Sequence, residues 1–318
     1  MRIFRSLPSD AYRAPSVLTI GKFDGLHRGH QALLARVRAV ARESGAQATV
    51  MTFDPHPRDF FVRRELTGTA AANATVTRVA NRRDTIEALA GAEVDRVIYQ
   101  HFDARFANLS ADAFIREILV ARLNVKWLLV GSDFRFGARR VGDLATLVRE
   151  GRRQGFQVET IPPVLCGDAR ISSSSVRTAL AQADFAKVQI LLGRPYAVSG
   201  RLGSAMRHDA IDGAAVLPFG GLAHSPVPDG IYAVHIEGVD SLPVAAVLHV
   251  RHDSSSEFSP AGTLHVHIVL PGGPRGLSGH GVVKIEFVAV MHSSAQWVKL
   301  PGRGDLLPAA DVSLHYSG

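Results

Sequence analysis

Short apolar runs at 16–20, 47–53, 94–99, 126–131 and 156–161 alternate with segments at about 30–43, 76–90, 110–123 and 141–153 in which apolar residues recur at helical spacing. A chain patterned in this way folds as a parallel sheet with helices on both faces, because each parallel neighbour is reached through a crossover that is usually helical. Such a doubly wound sheet takes its ligands at the carboxyl ends of the strands. Two further helices are expected over 173–182 and 184–192. After Gly193-Arg194-Pro195-Tyr196 the helical spacing stops, and β-type runs near 196–202, 231–237, 244–250, 263–270 and 281–290 are separated by Gly, Pro, Ser and Asp. The prediction is an α/β domain over residues 1–190 and a small antiparallel β-barrel or sandwich over 191–318, with the boundary near 186–195.

The first apolar run leads into Gly21-Lys22-Phe23-Asp24-Gly25-Leu26-His27-Arg28-Gly29-His30, and the helical pattern of Leu33, Leu34, Val37 and Val40 begins just beyond it. His27 and His30 therefore sit on a strand-to-helix turn. There the free N–H groups and the positive end of the helix dipole face an anion, and Gly25 and Gly29 let the backbone approach it. Two imidazoles add donors that can follow charge developing on a phosphoryl group. No covalent nucleophile accompanies them, so direct attack on a nucleotide phosphate, with the protein supplying position and electrostatics, is the chemistry suggested. A bare His-x-Gly-His could be no more than a solvated loop. The strand and helix on either side of this one favour the phosphate site.

Composition limits the alternatives. With 318 residues, 46% hydrophobic and 20% charged, the chain can bury two cores. Cys166 is the only cysteine, so no internal disulfide forms, and with no signal peptide or bilayer-length apolar run a cytoplasmic setting is expected. Residues 1–190 hold 28 Lys and Arg against 19 Asp and Glu, a net +9, whereas the remainder carries −2. The basic half is the half with the phosphate turn. No basic stripe interleaved with aromatic residues is visible, so small anions are favoured over nucleic acid.

Three later segments fall at strand or helix ends of the same domain. Thr52-Phe53-Asp54-Pro55-His56-Pro57-Arg58-Asp59-Phe60-Phe61 reads as a proline-stiffened loop with two rings that could sandwich a planar ligand. Val130-Gly131-Ser132-Asp133-Phe134-Arg135-Phe136-Gly137 follows the fourth run. Ile171-Ser172-Ser173-Ser174-Ser175-Val176-Arg177 offers hydroxyls at a helix N-terminus and an arginine one turn in, a second anion site. Each alone could be core, cap or solvated surface; together they make a nucleotide-phosphate site and an aromatic slot.

Together with Phe102-Asp103-Ala104-Arg105-Phe106-Ala107 and Leu191-Leu192-Gly193-Arg194-Pro195-Tyr196, these residues resemble the bacterial bifunctional riboflavin kinase/FAD synthetase family, over about Ser16 to Tyr196. The resemblance implies a nucleotidylyltransferase-type sheet and transfer of AMP from ATP to FMN, giving FAD and pyrophosphate with Mg²⁺. It implies that His27, His30 and Arg177 are catalytic, the histidines stabilising the transition state at the α-phosphate. Gly21, Phe23, Asp24, Gly25, Gly29, Asp133, Ser172 and Ser173 would bind the nucleotide, with Ser172, Ser173 and Arg177 on the outgoing pyrophosphate. Pro55, Pro57, Phe61 and Phe134 would line the flavin pocket. No protein-held metal is expected.

The second domain departs from that pattern. Its entry, Gly193 to Leu202, resembles the start of the family's riboflavin kinase barrel. The family's Pro-Thr-Ala-Asn motif, whose Thr and Asn serve Mg²⁺ and ATP, has no counterpart in Arg207-His208-Asp209-Ala210-Ile211-Asp212-Gly213-Ala214-Ala215-Val216-Leu217-Pro218. His265, in Leu264-His265-Val266-His267-Ile268, stands where the family has its catalytic Glu. The expectation is a barrel without kinase activity; the alternatives are a bifunctional enzyme with a remodelled kinase site, a non-catalytic flavin or nucleotide sensor, and transfer to another phosphorylated acceptor. His265 and His267 share a strand face and could bind a metal with His249 or His252, but without a Cys or carboxylate at ligand spacing a polar strand face is preferred.

Overall fold

The computed structural model describes residues 1–9, 12–65, 77–202, 215–220, 222, 225–253, 263–270 and 281–291. The packing divides the chain into two units, one of residues 1–76 and 85–172, the other of 77–84 and 173–318.

The first unit is built on a six-stranded parallel sheet of β1 (Arg2–Phe4), β2 (Ser16–Ile20), β3 (Gln47–Asp54), β4 (Arg96–His101), β5 (Val125–Gly131) and β6 (Gln157–Ile161), in the order β1-β4-β3-β2-β5-β6. Alternation along the strands sorts the core to two faces. On one, Val17 of β2, Ala48 of β3 and Leu129 of β5 meet Val37, Val40 and Ala41 of the Arg28–Ser44 helix. Val50 and Val97 on that side meet Leu89 of the Arg82–Gly91 helix. On the other, Leu18, Ile20, Met51, Ile98, Leu128 and Val130 meet Ile115, Ile118 and Leu119 of the π-type helix Phe114–Arg122 and Leu147 of the Leu144–Gln154 helix. The crossovers leaving β2 and β3 lie on one face and those leaving β4 and β5 on the other. The direction of winding therefore reverses between β2 and β5, and the crevice beyond those two carboxyl ends is the topological switch point.

Two details differ from the sequence reading. The Pro-His-Pro segment is not a loop throughout, because a helix runs over Pro57–Glu65; proline at the first helical position loses no hydrogen bond and its fixed φ suits the helix. A short hairpin of β7 (Leu165–Cys166) and β8 (Ala169–Arg170) also precedes Ile171.

In the second unit, β9 (Ala197–Arg201), β10 (Ala215–Pro218), β11 (Gly230–Glu237), β12 (Val244–Asp253), β13 (Thr263–Leu270) and β14 (Val282–Met291) form an antiparallel sheet in the order β10-β13-β12-β11-β14-β9. Leu202 bridges to Phe219, and the Gly220 N–H donates to the Arg201 carbonyl at 3.0 Å. These contacts join the two edge strands and close the sheet as a barrel, which removes its exposed edges. Residues 173–192 pack with this unit, whereas the sequence reading leaves most of them with the first. Phe185 of the Phe185–Leu192 helix accounts for the difference, its ring lying 5.1 Å from that of Phe287 on β14 and 5.7 Å from that of Tyr232 on β11. Residues 207–214, where the missing kinase motif would lie, and the side chains of His252, His265 and His267 fall outside the described part.

Candidate active site

β2 ends at Ile20 and the chain turns tightly over Phe23, Gly25 and Leu26, all three at positive φ. Gly25, at φ 79°, tolerates this; for Phe23 and Leu26, at 48° and 45°, it costs about 1–2 kcal/mol each. Burial of Phe23 and Leu26 with Leu34, Val50 and Leu89 holds the turn in place. Asp24 opens the 3-10 turn Asp24–Leu26, and the Gly21 N–H is tied to the Met51 carbonyl at 3.1 Å. Beyond the turn, His27 caps the helix, its Nδ1 accepting the His30 N–H at 3.3 Å. A neutral His27 therefore carries its proton on Nε2.

The two imidazoles are stacked, with centroids 3.7 Å apart and planes 17° from parallel, and the Phe23 ring backs His30 at 5.1 Å. Phe23 is fully buried, so it supports His30 rather than facing a ligand. A Cβ on Gly29 would lie 3.1 Å from the His27 ring and 3.6 Å from the Ile171 carbonyl, so glycine admits both to the turn and brings Ser172, the next residue, near it. Burial, followed by the charge of Arg170, lowers the His27 pKa to about 4. Burial and then His27 push His30 well below the ordinary value. Both rings are thus neutral N–H donors at pH 7. The Nδ1 of His30 is buried with no hydrogen-bond partner among the described residues.

Arg170, at the end of the β7–β8 hairpin, was not singled out in the sequence. It ion-pairs with Asp133 at 3.4 Å, just past the end of β5, so the positive charge stands at the switch point. Its only signal was an arginine two residues ahead of the serine run. The flavin candidates belong to a larger set of rings. From Phe61 the row passes through Phe102, Phe106, Phe114 and Phe136 to Phe134, with successive centroids 5.4 to 6.2 Å apart. Phe53 and Phe60 flank Phe102 at 5.6 and 5.4 Å. Phe61, 45% exposed, stands at the end of the row, on the helix that starts at Pro57. The first unit thus holds His27, His30, the glycine turn, Asp133, Ser172 and the aromatic row. Ser173 and Arg177 open the Ser173–Ala181 helix of the second unit, where Arg177 donates to the Ser174 hydroxyl at 3.1 Å.

Neutral imidazoles give a pH signature. The unfolded His27 titrates near 6.5 and the folded one near 4, so between these values the unfolded chain binds more protons. Stability is expected to fall as pH drops through that window, by up to ~1.4 kcal/mol per pH unit for each such histidine. Nitrogen-15 NMR at pH 6 should show His27 as the neutral tautomer protonated on Nε2; an imidazolium signal would contradict the site's electrostatics.

A doubly wound sheet with paired imidazoles at its switch point, followed by a closed antiparallel barrel, fits a nucleotidyltransferase-type domain carrying a small β-barrel domain. The profile of the FAD synthetase family matches residues 9–175. A bifunctional riboflavin kinase/FMN adenylyltransferase of Escherichia coli K12 is 39% identical over 256 residues, covering 79% of this chain and 78% of that protein. One from Pseudomonas fluorescens is 47% identical over 187 residues, covering 58% of this chain and 57% of its own length. This chain belongs to the FAD synthetase family. A solved structure described as a macrolide-efflux protein from Streptococcus pneumoniae superposes with a TM-score of 0.74 over 91% of this chain and 90% of that one, at 21% identity, a likeness of fold alone. Among the described residues, no helix is long and apolar enough to cross a membrane.

Proposed function

We propose that the chain is an FMN adenylyltransferase: a phosphate oxygen of FMN attacks the α-phosphorus of ATP, the bond to the β-phosphate oxygen breaks, and FAD and pyrophosphate leave. The observation that carries this reading is the stacked, neutral His27–His30 pair at the switch point. In a partly buried turn, N–H donors of fixed position stabilise charge as it gathers on the α-phosphoryl oxygens, with little reorganisation. Arg170 adds positive charge next to His27, and its pairing with Asp133 holds it there. Ser172 is suited to the outgoing pyrophosphate, a task that the family resemblance extends to Ser173 and Arg177.

Mg²⁺, implied by the family, fits as an ion carried on the ATP phosphates. No group of three His, Cys, Asp or Glu among the described residues could hold it, and Mg²⁺ commonly takes most of its ligands from phosphate and water. When bound it would neutralise phosphate charge.

The exposed end of the aromatic row is assigned to the isoalloxazine ring of FMN. Phe61→Ala is expected to raise KM for FMN ~10-fold while leaving KM for ATP unchanged, as for loss of one ring-stacking contact. Equal shifts in both constants, or none, would remove Phe61 from the flavin site. The barrel is proposed to lack riboflavin kinase activity, and a cytoplasmic setting follows from the substrates.

A further inference from the structure

Every residue lining a cavity of about 460 Å³ belongs to the second unit. Its walls come from three places: the segment leading into the Arg82–Gly91 helix, strand β9, and the closing edge at Gly220 and Val282. Four arginines line it, Arg78, Arg82, Arg83 and Arg201, drawn from two separate elements. Tyr196, Val79 and Val198, all buried, back the cavity, and the half-buried Val282 stands at its edge.

The wall is pinned from both sides. Asn81 Nδ2 donates to the Ser199 carbonyl at 2.7 Å, and both Asp84 carboxylate oxygens accept the Ser199 N–H at 3.1 Å. Asn81 Oδ1 in turn accepts the Asp84 N–H at 2.9 Å, capping the helix whose positive end opens here. Ser199 is itself buried in β9.

We propose that this cavity binds an organic phosphate, with its phosphate on the arginines and its organic body in the remaining volume, at the edge closed by Val282. Guanidinium groups from two elements match phosphate oxygens in a bidentate manner that lysine would not. The volume falls within the range of small-molecule sites and suits a mononucleotide rather than a bare anion. None of its lining residues is part of the proposed adenylyl-transfer site, so the inference stands apart from that reading.

The test is a count of bound ligand by equilibrium dialysis of the full chain with ADP and, separately, with FMN. R82E/R201E reverses charge at the arginine end. Gly220→Phe fills the cavity from a position where a Cβ meets only the Arg201 carbonyl, at 3.8 Å. Both variants are expected to bind one equivalent fewer than the parent of at least one of the two compounds, with an unchanged rate of FAD formation. Inorganic pyrophosphate should displace that equivalent. Parent stoichiometry for both compounds in either variant, or failure of pyrophosphate to compete, would overturn the proposal.

Discussion

His30→Ala is expected to lower kcat for FAD formation by ~10² or more while FMN binding stays close to that of the parent. The imidazole sits on that of His27 at 3.7 Å with Phe23 behind it, so its position is set before substrate arrives. Its neutral state means that it enters the ground state as an ordinary donor and gains strength only as charge develops on the phosphoryl oxygens. Loss of one such preorganised donor costs about 3–4 kcal/mol of transition-state stabilisation in comparable sites. Because the two rings support each other, the double substitution of His27 and His30 should cost less than the sum of the single ones. Single-turnover kinetics together with an FMN titration separates the two effects. An unchanged kcat would take His30 out of the mechanism; a kcat loss matched by an equal loss of FMN affinity would make it a structural residue.

Riboflavin, ATP and Mg²⁺ incubated with the protein are expected to give no FMN, or a rate at least ~10²-fold below that of FAD formation from FMN. Phosphoryl transfer to a ribityl hydroxyl needs a metal ion held at the phosphates and a base for the hydroxyl proton, and loss of a positioned base alone removes ~10²–10⁴. The segment Arg207 to Pro218 carries no counterpart of the Pro-Thr-Ala-Asn motif whose Thr and Asn would serve that metal. His265 lies on β13 opposite Arg251 of β12, where the family resemblance puts a glutamate. Chromatography of the reaction mixture decides the point, and FMN accumulating at a rate similar to that of FAD formation would show that the barrel works through other residues.

Much of this was legible in the chain because the signals are local. All five strands of the doubly wound order β4-β3-β2-β5-β6 were marked by apolar runs, and His27, Gly29 and His30 by their place between a strand and a helix. Edge strands β1 and β10 were not, since three or four residues carry too little periodicity to register. The Pro57–Glu65 helix was hidden because its apolar residues do not form a regular stripe, and the prolines before it read as loop. Arg170 and the joining of Phe61 to Phe134 through Phe102, Phe106, Phe114 and Phe136 are products of tertiary packing between distant strand ends, which no window along the sequence contains. Residues 77–84 read as the start of a helix of the first domain, yet Asn81 and Asp84 tie them to Ser199 of the barrel, a pairing more than 100 residues apart.

The most direct test is to supply ATP labelled at the α-phosphate together with FMN and to follow the label by chromatography. Adenylyl transfer at the His27–His30 turn predicts one labelled phosphorus per FAD, with unlabelled pyrophosphate released in equal amount and a rate lowered by ~10² or more once both histidines are replaced. FMN left unchanged by the parent protein, or label released only as AMP, would contradict the account.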